Sequence, residues 1–228
     1  IIRYLGDLDC DIRLYEPSDV IIERLKEERV RLTPARAMLL DVLCDMVSYG
    51  EFVSVFAAEK VVYFLQRLGA KDIFKIEFTR GYYGPYSGGK IAHVLYYLNG
   101  SYLKGMVGMQ NRPFDEIWIL EDTAQNIASY LAAPENKDYR DIANRTKEFL
   151  RGYYSNYSLE LLSTIDYILC NDLSIADFKD WDEVSFVDNI NNNISSWNSR
   201  KQRIFTGSKY ISLMVNHLKK NQMFQNVN

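Results

Sequence analysis

Residues Gly84-Pro85-Tyr86-Ser87-Gly88-Gly89-Lys90 have the spacing of a phosphate-binding loop, with four residues between two glycines and a lysine after the second. Such a loop aims backbone N–H groups at phosphates, and a Ser or Thr after the lysine holds magnesium. Here Ile91 stands in that place, and Pro85 removes one of the N–H donors. No parallel βαβ pattern follows, and no acidic strand end is placed to hold the metal. The segment fits a tight turn feeding a helix N-terminus better than a nucleotide cradle. With only His93 and His217 in 228 residues, a metal cluster or a histidine-based triad lacks raw material. His93, on the apolar helix IAHVLYYL, reads as a core or boundary histidine. Cys10, Cys44 and Cys170 are few and far apart, which argues against a disulfide framework and for a reducing, cytoplasmic setting. No cofactor or metal is expected, and no carboxylate pair stands out as an acid and its base. The residue types point to binding.

The chemistry that remains lies in rings and charge. The net charge of −3 hides an uneven distribution. Residues 121–188 hold 14 acidic and 6 basic side chains, whereas residues 189–228 hold 6 basic and none acidic. Within the acidic block, Asp177, Asp180, Asp182, Glu183 and Asp188 surround Phe178, Trp181 and Phe186, and Tyr153 and Tyr154 lie upstream. A solvated acidic helix face over buried rings explains this pattern. So does a surface that offers carboxylates where phosphates would lie and rings where bases would stack, suited to a partner that grips single-stranded nucleic acid. The basic residues Arg200, Lys201, Arg203, Lys209, Lys219 and Lys220 could touch phosphates, but pairing with the adjacent acidic block is the favoured reading.

The elements that must position these residues are mainly helical. Thr33-Pro34 opens a helix over 33–48, with Met38, Leu39, Val42, Leu43 and Met46 on one face. A second helix runs over 54–68 and stops at Gly69. The alternation in IFKIEFT predicts a strand over 73–79. Pro85 or Ser87 begins a helix over 87–98. Residues 102–107 and 116–120 read as a hairpin across the Gly108–Pro113 loop. Helices are expected near 122–132, 138–152, 158–170, 181–195 and 207–221, with breaks at APEN, YYSNY, CNDLS and NNNISSWNS. Upstream, residues 10–15 alternate like a strand, and VIIERLKEERV reads as a charged connector helix. No apolar run approaches the roughly 18–20 residues of a membrane span, and the first residues do not resemble a signal peptide. The fold class is mainly α with a small antiparallel β element (α+β).

The stretch from Lys60 to Gly105 resembles the C-terminal domain of DarG antitoxins and, more loosely, Panacea or SocA-like antitoxin domains. The resemblance rests on Tyr63, Phe64 and Gln66 in a helix, then Gly81, Tyr83, Gly84, Pro85 and Tyr86, a further helix and a Gly-rich turn. LTPARAMLL at 32–40 also looks like the start of that region, and DIRLYEPS like the last strand of the macro domain that precedes it in DarG proteins. The double glycine Gly88-Gly89 and the residues after 140 depart from the pattern. On this resemblance residues 1–16 end a macro domain and 17–32 form a linker helix. Residues 33–228 are then the antitoxin domain, with a Panacea-like core over 33–120 and a helical layer over 121–228.

The resemblance implies a cognate DarT-like toxin as partner, an enzyme that ADP-ribosylates thymidine in single-stranded DNA using NAD. It implies neutralisation by direct binding at the toxin's DNA site. Asp177, Asp180, Trp181, Asp182, Glu183, Tyr153 and Tyr154 are then the expected partner-binding residues. It also implies a full-length parent with DNA ADP-ribosyl glycohydrolase activity, whose pocket is not expected in these residues, so this chain is not expected to be an enzyme. A DNA-binding autorepressor that uses the basic tail is the alternative.

Overall fold

The most apolar helix of the chain sets the architecture. In VFAAEKVVYFL, helix α2 (Val55–Leu65), every residue from Phe56 to Leu65 is buried. A helix that is apolar around its whole circumference must be covered on every side, so α2 becomes the central element. Its only two charged residues, Glu59 and Lys60, go into the interior with it.

The computed structural model describes residues 29–107, 111–173 and 183–223. From Leu32 onward these belong to one compact unit. Helix α1 (Pro34–Ser48) starts where the sequence signals it: the Thr33 side chain accepts from the N–H of Arg36, and Pro34 takes the first helical position. Helix α2 is capped in the same way, the Ser54 hydroxyl accepting from the N–H of Ala57 at 3.1 Å. A π-helical turn (Gln66–Ala70) and a single helical turn, α3 (Lys71–Phe74), continue it, with Gly69 at φ +126° at the kink. Two antiparallel two-stranded pairs follow. β1 (Thr79–Gly81) pairs with β2 (Gly84–Tyr86), and β3 (Leu103–Lys104) with β4 (Trp118–Ile119), while α4 (Lys90–Leu98) lies between the pairs. The remaining helices are α5 (Thr123–Ala132), α6 (Lys137–Leu150), α7 (Asn156–Asn171), α8 (Glu183–Trp197), α9 (Ser199–Phe205) and α10 (Tyr210–Lys220).

The fold is thus mainly α with a small antiparallel β element. α1 and α7 both pack on α2, and α6 lies across α1. Ion pairs Lys147–Asp41 (2.6 Å) and Arg151–Asp45 (3.2 Å) fasten α6 and its end to α1. None of the described helices is long and apolar enough to cross a membrane.

Several details differ from the sequence expectation, helix α9 among them, since no helix is expected between the break at NNNISSWNS and residue 207. Residues 73–79 do not form a strand, because only Thr79 enters β1. The alternation is present in the burial of Ile76 to Thr79, but the Gln66 amide takes the part of a neighbouring strand. It donates to the carbonyl of Ile76 and accepts from its N–H, both at 2.8 Å. Pro85 belongs to β2 opposite Arg80, and the following helix starts only at Lys90, because Gly88 and Gly89 both hold positive φ. Ser87 still serves it, its hydroxyl accepting from the N–H of Ile91 at 3.2 Å. The asparagines 191–193 lie inside α8 and do not break it, since the Asn193 amide bonds back to Asn189. His93 is exposed, not in the core. The strand expected at 10–15 and the body of the connector helix lie outside the described residues.

Candidate functional site

Burial of Glu59 and Lys60 requires partners, and the turn between β1 and β2 supplies them. The Glu59 carboxylate accepts from the N–H of Ser87 at 3.0 Å and from its hydroxyl at 2.7 Å. The Lys60 ammonium donates to the carbonyl of Pro85 at 2.7 Å. Two adjacent charges on the central helix therefore hold the Gly81–Ser87 segment against it. The backbone approaches so closely that a Cβ on Gly84, at φ +103°, would lie 3.1 Å from Thr164 and 3.5 Å from the Lys60 amine. On Gly81 it would meet the Tyr86 Cβ at 2.6 Å. These glycines of the family-like motif are thus required by packing.

The other side of the turn is held by the end of α8 and by α9. The indole N–H of Trp197 donates to the carbonyl of Gly81 at 2.9 Å, and the Asn198 amide to that of Tyr82 at 3.0 Å. Lys201 has no exposed surface, and its ammonium donates to Glu160 (2.8 Å) and Thr164 (2.9 Å) of α7. Arg200 pairs with the same Glu160 oxygen and lays its guanidinium 4.8 Å from the ring centre of Tyr83. Two residues of the basic tail are thereby committed to the acidic block, as the charge pattern leads one to expect.

Burial sets the protonation of this cluster. It lowers the Lys60 amine to about 7 against the pull of Glu59, with Lys201 adding to the lowering. Lys201 falls to about 8 for the same reason, opposed by Glu160. The Glu59 carboxyl is pushed up by burial, with the Ser87 hydrogen bonds and Lys60 acting against the rise.

Above this cluster opens a cavity of about 300 Å³ lined by Val55, Phe56, Glu59, Lys60, Tyr82, Tyr83, Gly84, Tyr86 and Pro113. Its wall is a set of edge-on and tilted rings: Tyr83 and Phe56 each lie 4.9 Å from Phe114, and Tyr82 lies 4.8 Å from Tyr83. Tyr82 and Tyr86 remain 57% and 46% exposed, so these rings face solvent although the backbone beneath them is clamped. Solvent-facing rings thus sit on a clamped backbone. The three tyrosines are held from below by α2 and α7 and from one side by α9.

A second buried group ties α2 to α7. Asp166 accepts from the Tyr63 hydroxyl (2.7 Å) and from Arg67 (2.8 and 3.2 Å), and Arg67 also donates to the carbonyl of Met223 (2.7 Å). Tyr63, Phe64 and Gln66 are therefore framework residues. Phe64 is fully buried against Phe149, 5.1 Å between ring centres.

Of the residues expected to meet a partner, Tyr153 and Tyr154 are described, and the fold sends their rings to different neighbours. Tyr153 stacks on His217 at 4.1 Å, whereas Tyr154 is 3% exposed and donates its hydroxyl to Asp45 at 2.7 Å. The side chains of Asp177, Asp180, Trp181, Asp182 and Glu183 lie outside the described residues. Glu59 and Lys60 were not singled out by sequence reasoning. The available signal was a charged pair inside an otherwise apolar helix. Among the described residues no group of three or more His, Cys, Asp or Glu could hold a metal ion.

No family model matches the chain. It is similar to a DNA ADP-ribosyl glycohydrolase of Thermus aquaticus, with 29% identity over 171 residues. The match covers 75% of this chain and 43% of the relative, so the chain spans less than half the length of that protein.

Proposed function

We propose that this chain is the toxin-binding part of a DarG-type antitoxin, which neutralises a DarT-like DNA ADP-ribosyltransferase in the cytoplasm by direct binding. The observation that carries this reading is the similarity to a DNA ADP-ribosyl glycohydrolase over 75% of the chain. It agrees with the DarG-like pattern around Tyr63 and Gly81–Tyr86. A toxin that modifies single-stranded DNA must present cationic and stacking groups to its substrate. An inhibitor can meet those groups with carboxylates and rings. The acidic, ring-bearing segment 177–183 supplies such side chains, and in this reading it imitates the DNA strand.

The division of labour follows. Residues 1–16 close a macro domain, 17–32 link it, and 33–228 bind the toxin. In this reading the present residues bind and do not catalyse, and removal of ADP-ribose from DNA belongs to the part of the relative that this chain does not span. The rival role, operator binding through the basic tail, is weakened because Arg200 and Lys201 are both engaged by Glu160.

Co-expression with the candidate toxin tests the reading. The two proteins should co-purify, and a single-stranded oligonucleotide should compete with the antitoxin. Simultaneous binding of DNA and antitoxin without mutual weakening would eliminate mimicry while leaving neutralisation at another site. Failure to co-purify would remove the proposal.

A further inference from the structure

Glu59 is a carboxylate at 3% exposure that nevertheless borders the open tyrosine cavity. Both its hydrogen bonds come from Ser87. Among the described residues it forms no ion pair. Lys60, its neighbour in sequence, directs its ammonium to the Pro85 carbonyl, and Lys201 and Arg200 are taken by Glu160. Lys60 therefore pulls on Glu59 without pairing with it, and a buried carboxylate is better served by a cation in direct contact, because removing the charge from water is costly.

The walls of the cavity ask for the same thing. The faces of Tyr82, Tyr83, Tyr86 and Phe56 carry the negative part of the ring quadrupole and attract cations. The protein already uses this property on one side of these rings and beside them: Arg200 lies 4.8 Å from the Tyr83 centroid and 6.0 Å from that of Tyr82, Lys60 lies 5.3 Å from that of Phe56, and Arg80 lies 4.6 Å from that of Trp197. A carboxylate at the base and exposed rings at the rim form a receptor for a positive group. An anion would be held poorly. The one amine bordering the cavity, Lys60, is 3% exposed and tied to a carbonyl, and burial brings it close to half-protonated at neutral pH.

We propose that this cavity receives an arginine side chain of the protein partner, its guanidinium against the tyrosine faces and its charge toward Glu59. Arginine fits better than lysine because a planar, weakly hydrated guanidinium stacks on rings. The identity of the partner as the toxin rests on the function proposed above, whereas the chemistry of the cavity does not.

The test uses the whole chain and three short peptides, acetyl-Gly-Arg-Gly-amide and its citrulline and glutamate counterparts, followed by the ring resonances of the tyrosines. The arginine peptide should shift Tyr82 and Tyr86 saturably. Citrulline, the same shape without charge, should bind about tenfold more weakly, the scale of one cation–π contact strengthened by a carboxylate. Glu59→Gln and Tyr82→Ala should each weaken the arginine peptide several-fold. Tyr82 is 57% exposed, so its removal leaves the fold intact even if Glu59→Gln melts early. Equal binding of citrulline, preference for the glutamate peptide, or no effect of Tyr82→Ala would overturn the inference. A toxin that co-purifies equally with wild type and Tyr82→Ala, while the arginine peptide stays silent, sinks the cavity proposal and leaves neutralisation standing. Charge-selective peptide binding without any toxin complex does the reverse.

Discussion

Raising the pH from 7 to 9 should stabilise this protein, and Lys60 should be the main reason. Its amine is lowered from 10.5 to about 7 by burial. Between those values the unfolded chain holds a proton that the folded chain has released. Stability therefore rises with pH across that window. One proton over two pH units is worth at most about 2–3 kcal/mol. Lys201, lowered to about 8, adds about 1 kcal/mol in the upper half of the window. The thiols of Cys44 and Cys170, raised from 9.0, take back about 1 kcal/mol as the pH nears 9, and for a domain of this size the net gain corresponds to a melting temperature higher by roughly 4–12 °C. Above about pH 9 the gain should stop, because Cys44 and Cys170, pushed up to about 12, keep protons that the unfolded chain loses. The assay is thermal melting at half-unit intervals of pH for wild type and Lys60→Met. In the variant the rise should shrink to no more than about 1 kcal/mol, the share of Lys201. The variant also separates the lysine from Glu59, whose raised carboxyl pKa works in the opposite sense. A flat or falling melting temperature between pH 7 and 9 in wild type, or an unchanged rise in Lys60→Met, would refute the reasoning.

Removal of the Asp166 carboxylate in Asp166→Ala should cost about 3–5 kcal/mol in denaturant unfolding, because it leaves Arg67 and Tyr63 without their shared acceptor. The pair Arg80–Asp172 at the surface should contribute no more than about 1 kcal/mol by the same measurement on Asp172→Asn, which leaves Arg80 over the Trp197 ring. Gly81→Ala should lower the melting temperature and disturb the tyrosine surface together, since its Cβ would sit 2.6 Å from that of Tyr86. An unchanged ring spectrum would show that the turn has room. Joint charge reversal of Asp180, Asp182 and Glu183 should slow association with the toxin and flatten its salt dependence. Trp181→Ala should instead speed dissociation, by about 2 kcal/mol for a central anchor. Stopped-flow binding at two salt concentrations separates the two effects.

Local signals placed most of the fold. Thr33-Pro34, the apolar face of Met38 to Met46, and the glycines ending segments each work through neighbours within a turn, so their effect can be read one segment at a time. The failures share a cause. Residues 73–79 alternate like a strand, but a side chain ten residues away, Gln66, satisfies Ile76 in place of a second strand. Helix α9 escaped notice because its seven residues gain their stability from Lys201 buried against Glu160 and Thr164, a contact across about forty positions. The tyrosine turn was recognisable as a motif, yet its chemistry was not. Ser87 and Pro85 matter through Glu59 and Lys60, and only the assembled fold brings those pairs together. Tyr153 and Tyr154, adjacent in sequence, divide between a stack on His217 and a buried hydroxyl bond to Asp45.

The most direct test of toxin neutralisation is the rate at which the purified toxin ADP-ribosylates a single-stranded oligonucleotide in the presence of NAD, titrated with this chain alone. Modification should fall to zero near stoichiometric addition, excess oligonucleotide should restore it, and no ADP-ribose should be released from DNA already modified. Undiminished toxin activity at a large excess of the chain would contradict neutralisation by these residues.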